Sequence, residues 1–519
     1  MGRKILFVTT DQQRYDSLGC TGGRVARTPV IDQLARDGVL YHRAHPPNVV
    51  CMPSRATMLT GQNVRHHGVW MNGVPLPADA PSVAQVLHDA GYATALVGKA
   101  HFEPFLDPFL RFEENRLGLD GRHGPHRGFD HLTLATHGGM GATHYAQWLR
   151  EVHPGASDGY YPVLDLTTLE VNDQAGGGSG APQVTTNPLP RELYHTDWVA
   201  DRAIAWLDSL DDAADWFCWV SFPDPHHPWD PPQAEMGRVD PDDLNLPAGF
   251  PYGPADLDRV LEGKPRHWRM WWEGSLVSNY EAPAGWVPAT LTADQVREVN
   301  ARVHVENELI DEAVGRILRR VEARGWGADT DVVFTTDHGE FQGDFGLLFK
   351  GPYHVDALMR LPLIWRPAPS VWSSSAESVG GAEVLAPVGL VDLAPTFCAI
   401  AGVPVPEWMD GIPLPRSETE AWQQRRTRVL TEWDSRHPAG VEVHLQTLYT
   451  DGYTCTTYEP GTVHDGSEGE LYDHADDPLQ KVNRWDDPDY IALRDDLLAD
   501  LCDHLPPRPA HQLPVQAPV

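Results

Sequence analysis

The chain has 519 residues and carries 73 acidic against 40 basic side chains, a net charge of −33. That balance excludes a broad basic face for a phosphate backbone, so no nucleic-acid partner is expected, whereas a locally positive pocket for a small anion remains compatible with it. The hydrophobic fraction of 41% supplies core material for one large unit and a small one, and no stretch approaches the ~20 apolar residues of a membrane span.

Residues 4–10, KILFVTT, are an apolar, β-branched run that stops at Asp11. A buried parallel strand with a functional carboxylate at its carboxyl edge has this pattern. The first apolar run is too short for a signal peptide. Thr28 caps and Pro29 opens a helix in which Ile31, Leu34 and Ala35 recur at helical spacing until Gly38. A helix over 81–90 leads through Gly91 to a strand over 93–97 and then to Gly98-Lys99. WVADRAIAWLDSL precedes the strand WFCWVSF and the polar PDPHHPW, and a long amphipathic helix ending at Gly325 feeds DVVFTTDHGE. Helix, strand and polar strand end recur, which predicts an α/β fold on a large, mostly parallel sheet flanked by helices.

Two stretches, 102–190 and 230–290, are rich in Gly, Pro and aromatics and read as inserts. Residues 172–183, NDQAGGGSGAPQ, read as a flexible tip. Trp229, Trp268, Trp271, Trp272 and Trp286 fit packing beneath an insert, and substrate stacking also fits them. A boundary near 424 separates residues 1–424 from a small α+β unit, 425–519, with short strands over 428–460, a final helix and an extended tail. That tail could reach across a neighbouring copy, so a homo-oligomer is an expectation. Six scattered cysteines without a CxxC pair suggest reduced thiols and a cytoplasmic location.

Three constellations carry chemistry. In NVVCMPSRATMLTGQ, Pro53 suits a first helical turn and places Cys51 at the N-terminus, with Arg55 four residues on. A semi-buried cysteine beside a surface arginine fits the same spacing. Asp11-Gln12 and Asp337-His338 each end a buried-looking strand, and two carboxylates, an amide oxygen and an imidazole together suit one divalent cation. Either pair alone also reads as a strand-end cap. Lys99 and His101 in GKAHF, His226 in PDPHHPW and Lys350 in LLFKGPYHVD follow strands or lie in the loops after them. Singly they read as solvated surface groups; together they would make an anion pocket with an acid for a leaving group.

The order of these segments resembles the type I sulfatases of the alkaline phosphatase superfamily over nearly the whole chain. Cys51-Met52-Pro53-Ser54-Arg55 matches the family's C-x-P-S-R signature. The segments DQQRYDSLGC, TPVIDQLARDGV, GKAHF, PHHPW, TTDHGEFQGDFGLLFKG and GELYDHADDPLQKVN are similar to family segments in the same order. The resemblance implies an alkaline-phosphatase-like fold and oxidation of Cys51 to formylglycine by a maturation enzyme that reads the segment before folding. The hydrated aldehyde would attack the sulfur of a small anionic sulfate ester and release alcohol or phenol, then sulfate by C–O cleavage. By the same resemblance Asp11, Gln12, Asp337, His338 and residue 51 hold one divalent metal. Arg55 and Lys99 would hold the diol, Lys99 and Lys350 the sulfate, and Asn72 a substrate oxygen. His226 would protonate the leaving oxygen and His101 take the second hydroxyl proton.

Many sulfatases carry Asp-Asp and Asp-Asn pairs for calcium, whereas this chain has Asp-Gln and Asp-His. The nitrogen ligand brings Mn2+ in beside Ca2+. The resemblance extends to phosphonate monoester hydrolases, which have Tyr and Thr where this chain has Lys99 and His101. The sulfatase-type pair points to sulfate esters, with a phosphonate monoester or phosphodiester hydrolase as the alternative. A scaffold protein that is never matured is a third reading.

Overall fold

The computed structural model describes residues 3–517 except 108, 163–174, 277–281, 284, 373–380 and 437–439. Its strands are β1 (Lys4–Thr10), β2 (Val39–His45), β3 (Ala93–Gly98), β4 (His131–Leu134), β5 (Ala175–Gly176), β6 (Ala181–Pro182) and β7 (Trp216–Ser221). They continue with β8 (Thr330–Thr336), β9 (Leu361–Arg366), β10 (Ala382–Val384), β11 (Val388–Gly389), β12 (Arg428–Arg436), β13 (Glu442–Thr450), β14 (Tyr453–Tyr458) and β15 (Gly469–Asp473).

Among the described residues the main sheet runs β10-β2-β9-β8-β1-β7-β3-β4, with β11 also on β2. The strands from β8 across β1, β7 and β3 to β4 are parallel, and β9 is antiparallel to both of its neighbours. The alternation along β1 explains why the sheet is covered on both faces. Ile5 and Phe7 enter a core with helices 51–60, 83–89 and 393–401, while Leu6 and Val8 enter a second core with helices 195–209 and 293–323. A strand buried on both faces must be apolar throughout, and KILFVTT meets that demand up to its threonine end.

One expected cap differs. The Thr28 hydroxyl accepts no backbone N–H of helix 29–36 and donates to the Asp32 side chain; the Asp311 carboxylate accepts the Val30 and Ile31 N–H groups at 3.1 and 2.8 Å instead. A carboxylate from the long helix suits those unpaired donors better than a local hydroxyl.

The region expected as an insert, 102–190, also differs. Its β4 pairs with β3 as an edge strand of the main sheet, and helices 113–120 and 144–152 flank it. HLTL is only four residues long and sits among histidines and glycines, so its pattern is faint in the sequence. The expected flexible tip lies partly outside the described residues; 175–176 and 181–182 pair as a short ribbon. Trp229 and Trp268 are fully buried and Trp271 nearly so, which places them in packing.

β12-β13-β14-β15 form a separate antiparallel sheet at the C-terminal side. It shares a core with the rest of the chain, because Trp433, Leu445, Tyr458 and Tyr472 pack in one cluster with Val49, Val50 and Trp268. No helix of the described residues is long and apolar enough to cross a membrane.

Lys264 ties that sheet to the 230–290 region. Its buried ammonium donates to Tyr472 Oη and, at 2.6 Å, to Gln480 O, and it lies 4.3 Å from the Tyr472 ring and 4.7 Å from that of Trp268. Burial pulls its pKa from 10.5 down to about 8, against the opposing charges of Glu470 and Asp477. The folded state therefore binds fewer protons than the unfolded chain between these values. This group's penalty is full below pH 8 and fades as pH rises towards 10.5. Wild type is expected to gain stability relative to Lys264→Met across that interval. Denaturant unfolding of both proteins at several pH values checks this, and a pH-independent difference would contradict it.

Candidate active site

Strand register assembles the site. Thr10 pairs with Thr336, so Asp11 and Asp337 leave adjacent strands side by side. Thr9 and Gly98 both pair with Ser221, which brings Lys99 to the same edge. Gly98 has φ +111°, and a Cβ there would lie 1.8 Å from Ser221 O. Only glycine permits the Lys99 N–H to donate to that carbonyl at 2.9 Å. Gln12 (φ +63°) and His101 (φ +58°), just past the ends of β1 and β3, adopt the left-handed conformation. Such strain in non-glycine residues is retained where a side chain must be aimed.

Cys51 is the first residue of helix 51–60 and is fully buried. Its Sγ lies 3.2 Å from His338 Nε2, 3.6 Å from Asp11 Oδ1 and 3.7 Å from Lys99 Nζ. Burial and then the Asp11 charge push the thiol well above its ordinary range. Asn72 accepts the Met52 N–H through Oδ1 at 3.0 Å and so satisfies part of the helix start.

Arg55, also fully buried, spans both carboxylates. Nε donates to Asp337 Oδ2 at 2.9 Å and Nη2 to Asp11 Oδ2 at 3.0 Å. Nη1 donates to Lys99 O and Ser221 Oγ, each at 2.8 Å. Lys99 Nζ lies 2.6 Å from Asp11 Oδ2. Burial is the largest influence on Asp11 and would raise its pKa, yet Lys99, His226 and Arg55 together hold it well below the usual carboxylate range. Lys350 Nζ donates to Gln12 Oε1 at 2.6 Å and to His226 Nε2 at 2.8 Å.

Asp11, Cys51, Asp337 and His338 each offer a ligand atom within 4.8 Å of the others. His338 Nδ1 donates to Gly339 O at 3.0 Å, which leaves Nε2 as an acceptor facing Cys51 Sγ and the carboxylates. Two buried carboxylates and an inward imidazole nitrogen form a donor set that fits one divalent cation.

Asp11, Gln12, Cys51, Arg55, Lys99, His226, Asp337, His338 and Lys350 thus converge through direct contacts. Asn72 joins through the helix start, and His101 is buried at the end of β3 with its ring edge-on to Phe105 at 5.1 Å. Sequence reasoning missed His137. Its Nε2 accepts from Lys99 Nζ at 3.0 Å and its ring stacks on His226 at 4.0 Å. It follows β4 by three residues, the same strand-end signal as the others, but β4 itself was hidden. Ser221, His227 and Glu340 were also missed. His227 and Glu340 adjoin recognised residues, so proximity in sequence was an available signal.

The tail folds back on its own chain rather than reaching outward. Leu513 O accepts Trp70 Nε1 at 2.8 Å, the Gln516 N–H donates to Gly73 O at 2.8 Å, and Gln516 O accepts from Arg111 at 2.7 Å. Gly73 has φ +84°, and a Cβ there would meet Ala517 O at 2.1 Å. The tail therefore braces the loop that carries Asn72. Deleting residues 511–519 is expected to lower kcat/KM by ~10-fold through lost positioning. Steady-state kinetics of the truncated chain checks this, and unchanged kinetics would contradict it.

Cationic groups and a buried carboxylate pair at the carboxyl ends of a parallel sheet suit hydrolysis of an anionic ester. A family model described as Sulfatase matches residues 3–403, and the chain belongs to the sulfatase family, within the alkaline phosphatase superfamily. It is similar to the uncharacterized sulfatase YidJ of Escherichia coli K12, at 26% identity over 505 residues that cover 96% of this chain and 86% of that one. An arylsulfatase of Clostridium perfringens is 26% identical over 423 residues, 80% of this chain and 78% of the other. Among solved structures, the phosphonate monoester hydrolase of Agrobacterium radiobacter superposes with a TM-score of 0.76 at 25% identity, covering 96% and 95% of the two chains.

Proposed function

We propose that this sulfatase cleaves an organic sulfate monoester with residue 51, matured from cysteine to formylglycine, as nucleophile beside one divalent metal ion, Mn2+ or Ca2+. The observation that carries the reading is the place of Cys51 in a C-x-P-S-R segment, with Sγ within 3.7 Å of His338, Asp11 and Lys99. Oxidation by a maturation enzyme would replace the thiol with an aldehyde whose hydrate supplies a nucleophilic oxygen. Asp11, Gln12, Asp337 and His338 would hold the ion, which supplies Lewis-acid polarisation and acidifies an oxygen near it.

The chain's own groups do the rest. Arg55 keeps both carboxylates parallel and fixes the helix start. Lys99 and Lys350 face a sulfate group from two sides. The Lys350–His226 contact carries a proton towards the leaving oxygen, and His101 accepts one from residue 51. Asn72 donates to the substrate. The free cysteines fit a reducing, cytoplasmic setting.

A phosphonate monoester or phosphodiester hydrolase is the second reading, favoured by the likeness to the Agrobacterium enzyme. The test compares kcat/KM of one preparation on an aryl sulfate, a phenylphosphonate monoester and a bis-aryl phosphate, with and without chelation. Sulfate is expected to lead and chelator to abolish turnover. A larger kcat/KM on the phosphonate would overturn the sulfate assignment.

A further inference from the structure

We infer that Glu340 is a positioning residue that aims the carbonyl oxygen of Gln12, rather than its amide nitrogen, at the cation site. The inference rests on the metal centre proposed above. A glutamine ends in an oxygen and an NH2 group of nearly equal shape, and only the oxygen can ligate a hard cation. Something must choose between them.

The surroundings of Gln12 make that choice from both sides. Nε2 donates to Glu340 Oε2 and lies 3.0 Å from His227 Nδ1, while Oε1 accepts from the Lys350 ammonium at 2.6 Å. Turning the amide over would set its oxygen against a carboxylate oxygen and its NH2 against an ammonium group. Both contacts would then be repulsive. Glu340 is itself fixed: it is 1% exposed, and its other oxygen accepts the Phe349 and Gln342 N–H groups at 2.5 and 3.2 Å. With N–H donors on both oxygens it acts as an acceptor. The Gln12 backbone is held as well, its N–H donating to Asp337 Oδ1 at 3.1 Å. A neutral amide can therefore keep its orientation beside Asp11, with Glu340 holding its nitrogen and Lys350 its oxygen.

The test measures Mn2+ and Ca2+ affinity of the full, chelator-stripped chain by calorimetric titration, independently of turnover. Glu340→Ala is expected to weaken binding ~10–100-fold, the usual effect of losing a partner of a metal ligand. Glu340→Gln, which can accept or donate, should lose less. In a Gln12→Ala background, Glu340→Ala should change affinity less than about twofold, because the residue it orients is gone. Unchanged affinity in a folded Glu340→Ala variant overturns the inference, as does an equal loss in the Gln12→Ala background. If Glu340→Ala does not fold, wild-type affinity in Glu340→Leu, which can neither accept nor donate, overturns it instead. Wild type that binds neither ion removes the proposed metal centre and this role with it, a result distinct from variants that bind like wild type.

Discussion

Cys51→Ala is expected to reduce kcat/KM on an aryl sulfate by at least ~10^3-fold, the scale of losing a nucleophile that acts with a coordinated set of groups. The fold should survive, because removing one sulfur from a fully buried position leaves Arg55, Asp11 and Asp337 paired among themselves. Near-UV circular dichroism and the unfolding midpoint should match wild type, so the loss can be assigned to chemistry. Peptide mass spectrometry of active wild type is expected to give a residue 51 lighter than cysteine by ~18 Da, the exchange of CH2SH for CHO. An active enzyme with an intact thiol, or an active alanine variant, would remove residue 51 from the nucleophilic role.

Arg55→Ala should have the largest effect on stability. Its guanidinium is the fixed planar group between two fully buried carboxylates. Removing it leaves Asp337 without its guanidinium partner, while Lys99 still approaches Asp11. Breaking a buried pair from one side costs about 3–5 kcal/mol, so a loss of that order is expected in denaturant unfolding of the metal-free protein. Arg55→Lys should fall between, because an ammonium is a point charge and cannot bridge both partners. Added Mn2+ should narrow the deficit by supplying positive charge to the same carboxylates. A loss below about 1 kcal/mol would show that the carboxylates do not depend on this arginine.

Much of this centre was legible in the chain. KILFVTT and DVVFTT are continuous apolar runs ending in Asp, and two such runs in parallel register place their aspartates together. The signals were strong because both strands are central and tolerate no polar interruption. β4 was hidden for the opposite reason: an edge strand of four residues needs little hydrophobicity, and with it went His137. The cap from Asp311 and the orientation of Gln12 by Glu340 depend on contacts between residues far apart in sequence, which no local spacing encodes. The path of the tail over its own chain was not legible because PPRPAHQLPVQAPV has no periodicity. Its place is set by single backbone bonds to Trp70 and Gly73 and by the absence of a side chain at Gly73.

That docking has a consequence for biosynthesis. The bond partners of residues 70–73 lie far downstream of the C-x-P-S-R segment in the chain. Until the tail arrives, the loop beside helix 51–60 lacks its outer brace. Under the maturation proposed above, a processing enzyme would have to act before folding is complete, because the finished fold buries residue 51 completely. Unmodified chain, once folded, should therefore stay resistant to later maturation.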